Sequence, residues 1–122
     1  MSRGPGSLMR YLFGVIRHTG RPMTFAEIRK VAIGNDGWLS FSEERSLRRA
    51  LQTMVRDEGI IALGSGGRAD PHRYSINPLV FAMAGNKAAF EAAMAACFPD
   101  YVRNAAELEA QKAAAAPEGG RV

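Results

Sequence analysis

Cysteine and histidine are scarce in this chain of 122 residues. The single cysteine, Cys97, cannot form an intramolecular disulfide, and it also excludes a zinc site built from the cysteines of one chain. The two histidines, His18 and His72, have no cysteine or carboxylate at ligand spacing, so we expect no metal site. No residues have the spacing of a nucleophile and its base, and we therefore expect neither catalysis nor a cofactor.

Long apolar runs are also missing. No stretch reaches the roughly 18 consecutive apolar residues of a membrane-spanning helix, and residues 1–7 lack the charged and then apolar pattern of a secretory signal. We expect a cytoplasmic protein without a membrane partner. With 47% hydrophobic residues, a chain of this length can bury one core, with little left for a second.

The positive charge is distributed unevenly. Residues 1–80 contain 12 Lys or Arg against 7 Asp or Glu, a balance of +5, whereas residues 81–122 contain 4 against 5, a balance of −1. Eleven of the first 12 are arginines, whose planar guanidinium suits phosphates and guanine edges. A high-GC genome would also enrich arginine, so the position of these residues must decide whether a polyanion is the partner.

Two helices are predicted in the first part of the chain. Apolar residues at helical spacing predict the first helix over residues 7–19, with two apolar rows that both require cover. Thr24 followed by Glu27 forms a capping box and predicts the second helix, which the turn-forming residues 34–37 end. Trp38 and Leu39 should then cover this loop by packing.

A third helix and a β-hairpin follow. Ser40 with Glu43 repeats the capping box and begins a helix that runs to about Glu58, where Gly59 supplies the stop. Two strand-like runs come next, residues 60–63 and 73–76, separated by the turn-rich residues 64–71.

The third helix has two contrasting faces. Its predicted apolar face consists of Leu47, Ala50, Leu51 and Met54, and the opposite face of Arg45, Arg49, Gln52 and Arg56, with Arg48 and Thr53 at its flanks. The polar face contains no acid, although an ordinary solvated face would include Glu or Lys partners at i+4 spacing. Its side chains are those that contact major-groove base edges and phosphates.

This helix carries a resemblance to a known superfamily. Residues 46–61, SLRRALQTMVRDEGII, resemble the recognition helix of bacterial winged helix-turn-helix regulators, running through a glycine into the first wing strand. The resemblance covers residues 7–78 and the order helix, helix, helix, hairpin. It implies that the third helix enters the major groove and that the hairpin contacts the neighbouring backbone or minor groove. Arg68, His72 and Arg73 would be wing contacts, and Arg48, Arg68 and Arg73 would hold phosphates.

Two acidic residues in the first turn of this helix affect where it can contact DNA. Glu43 and Glu44 suit the helix dipole there, but they would repel phosphates, so we expect base contacts from the middle of the helix. The link of residues 34–39 is longer than the tight turn of a simple helix-turn-helix.

The last third of the chain is alanine-rich. Alanine occupies 15 of residues 82–116, which predicts two helices, one capped by Asn86 and ending near Phe98, the other opened by Asp100. An apolar seam of the type that meets a partner helix is formed by Phe90, Met94 and Cys97.

The predicted fold class is mainly α with a small β-hairpin. It comprises a winged helix-turn-helix domain over residues 7–78, a C-terminal helical extension over 79–116 that supports oligomerisation, and a flexible tail over 117–122. The leading functional hypothesis is a transcriptional regulator that binds double-stranded DNA sequence-specifically as a homodimer. A protein-interaction adaptor with the same fold, and a replication or nucleoid-associated DNA-binding protein, stay open as alternatives.

Overall fold

Six α-helices and a small antiparallel sheet make up residues 5–115, the part of the chain that the computed structural model describes. In chain order they are α1 (Pro5–Thr19), β1 (Met23–Thr24), α2 (Phe25–Arg29), α3 (Glu44–Arg56), β2 (Ile60–Leu63), β3 (Arg73–Ile76), α4 (Pro78–Met83), α5 (Lys87–Cys97) and α6 (Pro99–Ala115). A π-helical segment, Lys30–Asn35, extends α2, and a 3₁₀ turn, Phe41–Glu43, precedes α3. The prediction of a mainly helical chain with a small β element is confirmed, while the predicted tail 117–122 lies outside the described residues.

The sheet has three strands in the order β1-β3-β2. The hairpin strands β2 and β3 have the predicted bounds and pair antiparallel, with Ile60 opposite Ile76 and Leu63 opposite Arg73. The third strand, β1, pairs Met23 with Tyr74 and was not predicted, because two residues are too short to produce an alternating pattern. Its effect is to tie the hairpin to the link between α1 and α2.

One hydrophobic core joins the helices to the sheet. The largest side chains of this core that are almost completely buried are Leu12, Ile16, Ile28, Leu47, Leu51 and Ile60. On α1, the first predicted apolar row was Leu8, Leu12 and Val15, and the second was Met9, Phe13 and Ile16. Leu8, Leu12 and Ile16 are buried, whereas Val15, Met9 and Phe13 pack at the rim of the core. The buried side of the helix therefore takes residues from both predicted rows.

The start of α2 is fixed by the predicted capping box. The Thr24 hydroxyl accepts a hydrogen bond from the backbone N–H of Glu27 at 3.2 Å, and the Glu27 carboxylate accepts one from the Thr24 N–H at 3.0 Å. Arg21 donates to the same carboxylate at 2.7 Å, and this bond, with the Thr24 N–H, lowers the pKa of Glu27 to about 2. Glu27 is thereby held as an anion at the helix N-terminus, where the dipole favours it.

The loop after α2 is covered by aromatic packing, as predicted for Trp38. The Tyr11 and Trp38 rings are parallel with centroids 4.6 Å apart, and Leu39 is buried. The Tyr11 hydroxyl donates to the Asp36 carboxylate at 2.5 Å, and burial together with this carboxylate raises the pKa of the phenol well above its usual range. These contacts anchor the link between the second and third helices to α1.

The C-terminal region begins with a helix that was not predicted. Asn77 caps α4 by accepting from the Leu79 N–H at 3.1 Å, and its amide donates to the Glu58 carbonyl at 2.9 Å. Val80 and Phe81 pack against the core. The short α4 thus joins β3 to α5, which Asn86 caps as predicted.

The seam predicted on α5 is partly covered by the chain itself. Cys97 is buried, and its thiol donates to the Ser75 hydroxyl on β3 at 3.1 Å, while Phe90 and Met94 are half-buried. Cys97 therefore packs against the sheet of its own chain, and the contact of this row with a partner helix stays a prediction. The exposed helix of this region is α6, none of whose residues is buried. Across residues 5–115, no helix has the length and the apolar character needed to cross a membrane.

The helix α3 ends at Arg56, two residues before the predicted end at about Glu58, and the residue that stops it also differs. The left-handed conformation lies at Glu58, with φ of 67°, and not at Gly59. The Glu58 N–H donates to the Val55 carbonyl at 3.0 Å and the Gly59 N–H to the Met54 carbonyl at 3.1 Å, which is the Schellman pattern. Glutamate at this position carries the steric cost that glycine would avoid.

We expect Glu58→Gly to raise the free energy of unfolding by about 0.5–1 kcal/mol, because glycine adopts the left-handed conformation without a Cβ clash. Urea unfolding of the two proteins measures the difference. The matched control is Asp57→Gly, which removes the same charge from a neighbouring residue with φ of −84° and should lower stability instead. Equal effects of the two substitutions would contradict the assignment of the strain to Glu58.

Candidate nucleic-acid interface

The orientation of α3 is fixed by its apolar face. The four residues predicted to face inward are all buried, with exposed fractions of 0% for Leu47, 8% for Ala50, 1% for Leu51 and 6% for Met54. Each large side chain in such a position contributes about 1.5–3 kcal/mol when it is removed from water. Rotation of the helix about its axis would expose this row, so the opposite face must remain in solvent.

That opposite face carries the predicted basic residues. Arg45, Arg48, Arg49, Gln52 and Arg56 are exposed, and Thr53 is half-buried. The segregation of guanidinium groups from the apolar side, predicted from helical spacing, is therefore present in the structure. We call this set of six residues the basic face of α3.

The four arginines of the basic face differ in their partners. Arg45 and Arg49 have no ion-pair partner among residues 5–115. Arg56 lies 3.5 Å from the carboxylate of Asp57, but both side chains are more than 60% exposed, so the pair is weak and can be exchanged for another anion. The Arg48 guanidinium lies 4.0 Å from the centre of the Phe25 ring, a cation–π contact that turns it towards α2.

The two acids in the first turn are both engaged by neighbouring groups. The Glu43 carboxylate accepts hydrogen bonds from the backbone N–H and the hydroxyl of Ser40, each at 2.9 Å. Glu44 forms an ion pair with Arg29 on α2. The repulsion expected from these carboxylates is thus reduced, because one is a capping group and the other is compensated by a cation. Arg29 was missed in the sequence, since it precedes Glu44 by 15 residues on another helix.

An exposed aromatic residue precedes the basic face. Phe41, in the 3₁₀ turn at the head of α3, is 74% exposed, and the Arg29 guanidinium lies 5.5 Å from the centre of its ring. The capping box between Ser40 and Glu43 holds the turn that carries it. Helical spacing could not find this residue, because it lies outside the regular α-helix.

The hairpin loop is held in a defined shape by Asp70. Its carboxylate accepts from the Ser65 N–H at 3.0 Å, and its carbonyl accepts from the Gly66 N–H at 3.0 Å. At Gly64, φ is 95°, and an added Cβ would lie 2.9 Å from the Pro71 carbonyl oxygen, so the two ends of the loop approach too closely for a side chain. The loop is therefore a compact turn.

The three predicted wing residues occupy different places on this hairpin. Arg68 is exposed within the loop, and Arg73 is exposed on β3 opposite Leu63. His72 is exposed, but its ring faces the loop: a Cβ at Gly66 would lie 2.6 Å from His72 Nε2. Since α3 leads through residues 57–59 directly into β2, the hairpin begins where the basic face ends.

Two concave surfaces of the protein lie beside α1. A groove of about 500 Å³ runs between α1 and the end of α3, lined by Met9, Phe13 and Met54 among others. A smaller cavity of about 240 Å³ lies between α1, β3 and α5, with alanines of α5 forming much of its wall. In the described part of the chain, no three His, Cys, Asp or Glu side chains come together as a metal site would require.

No protein-family model, curated protein or solved structure matches this chain.

We expect Asp70→Ala to loosen the hairpin loop without unfolding the protein, because it removes the carboxylate that accepts the Ser65 N–H in an exposed loop, while the backbone bond from the Gly66 N–H to the residue 70 carbonyl remains. The heteronuclear NOE of residues 65–68 should fall, and that of α3 should not change. Asp57→Ala, which removes another exposed carboxylate, serves as the control. An unchanged NOE in the loop of the Asp70 variant would refute its role as the closing residue.

Proposed function

We propose that this chain binds double-stranded DNA through the basic face of α3 and the β2–β3 hairpin, as a transcriptional regulator of the winged helix-turn-helix type. The observation that carries the proposal is the basic face itself: an outward row of arginines, glutamine and threonine that contains no acid and lies opposite a buried row. A polyanion of regular shape is the partner that such a row fits best.

The chemistry of the row matches base edges and phosphates. A helix of 13 residues is about 20 Å long and fits in the major groove of B-form DNA, which is about 12 Å wide. Arginine forms a bidentate pair with guanine O6 and N7, and glutamine forms one with adenine N6 and N7. The proposed groove contacts are Arg45, Arg49, Gln52 and Arg56. Arg45 and Arg49 have no ion pair within the described chain, and the exposed pair of Arg56 with Asp57 can be exchanged for DNA.

The hairpin supplies the second contact in this proposal. Arg68 in the loop and Arg73 on β3 are exposed cations on a rigid turn, a suitable arrangement for holding the phosphate backbone beside the groove. His72, whose ring lies against Gly66, would support the loop and contact DNA only at its edge. Three helices followed by a hairpin, with α3 leading into the first strand, support the winged helix-turn-helix assignment.

Arg68→Ala tests the phosphate contact. We expect weaker binding to all duplex sequences and a salt dependence, log K against log salt concentration, that is flatter by about one unit, because one phosphate contact is lost. Fluorescence anisotropy with a labelled random-sequence duplex at several salt concentrations measures both quantities. Arg103→Ala on α6, which also removes an exposed arginine, should leave the slope unchanged.

Two results would change this interpretation. An unchanged slope would remove Arg68 from the interface. If the unmodified protein bound no duplex at physiological ionic strength but did bind an acidic protein, the adaptor function would replace DNA binding, since exposed arginines also suit an acidic surface.

We further propose that the protein binds DNA as a homodimer joined through α6. None of its 17 residues is buried. Two of them have large apolar side chains that are exposed to solvent, Tyr101 at 65% and Leu108 at 52%. Together with Ala105 they follow i, i+4, i+7 spacing and form one apolar row, the seam of a two-helix contact. A second copy of the chain supplies the same row, and two basic faces would then meet two half-sites of a palindrome.

Leu108→Glu should break this dimer, because one carboxylate from each copy would be buried in the seam. Light scattering should give twice the chain mass of 13.2 kDa for the unmodified protein and 13.2 kDa for the variant. Leu79→Glu makes the same change at a 58% exposed position of α4 and should remain dimeric. A Leu108 variant with the dimer mass would rule out α6 as the interface.

A further inference from the structure

We propose that Phe41 is a specificity-determining residue that contacts the C5-methyl group of a thymine in the major groove. This inference rests on the proposed DNA-binding function and goes beyond it, since it assigns the recognition of one base to a residue outside the basic face. Its basis is the location of Phe41 at the head of α3, its exposure and the charge around it.

The turn that carries Phe41 is rigid. Both partners of the capping box, Ser40 and Glu43, flank it, with two hydrogen bonds of 2.9 Å between them. The ring is therefore presented on a fixed turn that leads directly into α3, one helical turn before Arg45. A side chain at this end of a helix lying in the major groove comes close to base edges.

The surroundings of the ring favour contact with a nucleic acid. A single exposed apolar residue is common on protein surfaces and means little alone. Here, however, the Arg29 guanidinium lies 5.5 Å from the centre of the ring, and the same guanidinium compensates the carboxylate of Glu44. Phe41 thus lies beside one cation, Arg29, whose carboxylate partner Glu44 is already paired, and a polyanion can approach the ring.

The chemistry of the bases supplies the ligand. The thymine methyl is the apolar group on the major-groove edges of the four bases, and contact with a side chain such as Phe is the way in which it is recognised. The basic face offers donors for guanine and adenine but no large apolar group. Phe41 supplies this group.

Replacement of thymine by deoxyuridine tests the contact, because it removes the methyl group and leaves the charge and the base pairing unchanged. A binding site is first selected from randomised duplexes with the unmodified protein, and each thymine in it is then replaced singly. At one or more positions the affinity should fall about fourfold, the value of one methyl group removed from water. The Phe41→Ala variant should bind the thymine and uracil duplexes equally.

Met83→Ala is the control, since it removes an 88% exposed apolar side chain from α4 and should keep the discrimination of the unmodified protein. Phe41→Ala is not expected to alter folding, and its thermal midpoint checks this. The assignment of Phe41 would be overturned if Phe41→Ala still preferred the thymine duplex to the uracil duplex, or if no thymine-to-uracil replacement in the selected site changed the affinity. Either result would leave DNA binding itself intact. Absence of salt-dependent duplex binding by the unmodified protein would overturn both proposals.

Discussion

Burial of one side of α3 fixes the orientation of the helix and, with it, the position of every charge on its other side. Leu47 and Leu51 are almost completely removed from water and contact the same core as α1 and the sheet, so the helix cannot rotate without exposing them. The exposed position of Arg45 and Arg49 on the other side is a direct consequence. Stability and the presentation of charge are thus two results of a single amphipathic pattern.

Hydrogen bonds and an ion pair at the head of this helix reduce the effect of its acidic residues on the electrostatic field. The acids Glu43 and Glu44 at its head are engaged by a capping box and by Arg29, while Arg45 and Arg49 in the following turns have no ion pair within residues 5–115. The field outside the helix is consequently more positive than a count of its charges indicates. The hairpin, whose loop is closed by Asp70, adds two further exposed cations, Arg68 and Arg73.

Features set by local chemistry could be predicted from the sequence, and those set by distant contacts could not. Helical spacing predicted the two faces of α3. Strand-like runs bounded by turn-forming residues predicted both hairpin strands with their observed first and last residues. The strand β1 depends on pairing with β3, and the Arg29–Glu44 pair joins two helices, so neither produces a local pattern. The burial of Cys97 likewise depends on β3, through Ser75.

A titration of the isotopically labelled protein with duplex DNA, followed by ¹H–¹⁵N correlation NMR, shows which surface of the protein binds DNA. If DNA binds to α3 and the hairpin, the largest shift changes will lie at residues 45–56 and 65–73, and α5 and the cavity beside it will change little. Salt should reverse these changes, because phosphate contacts release counterions. Shift changes confined to other surfaces, or no changes at all at physiological ionic strength, would contradict DNA binding through α3 and the hairpin.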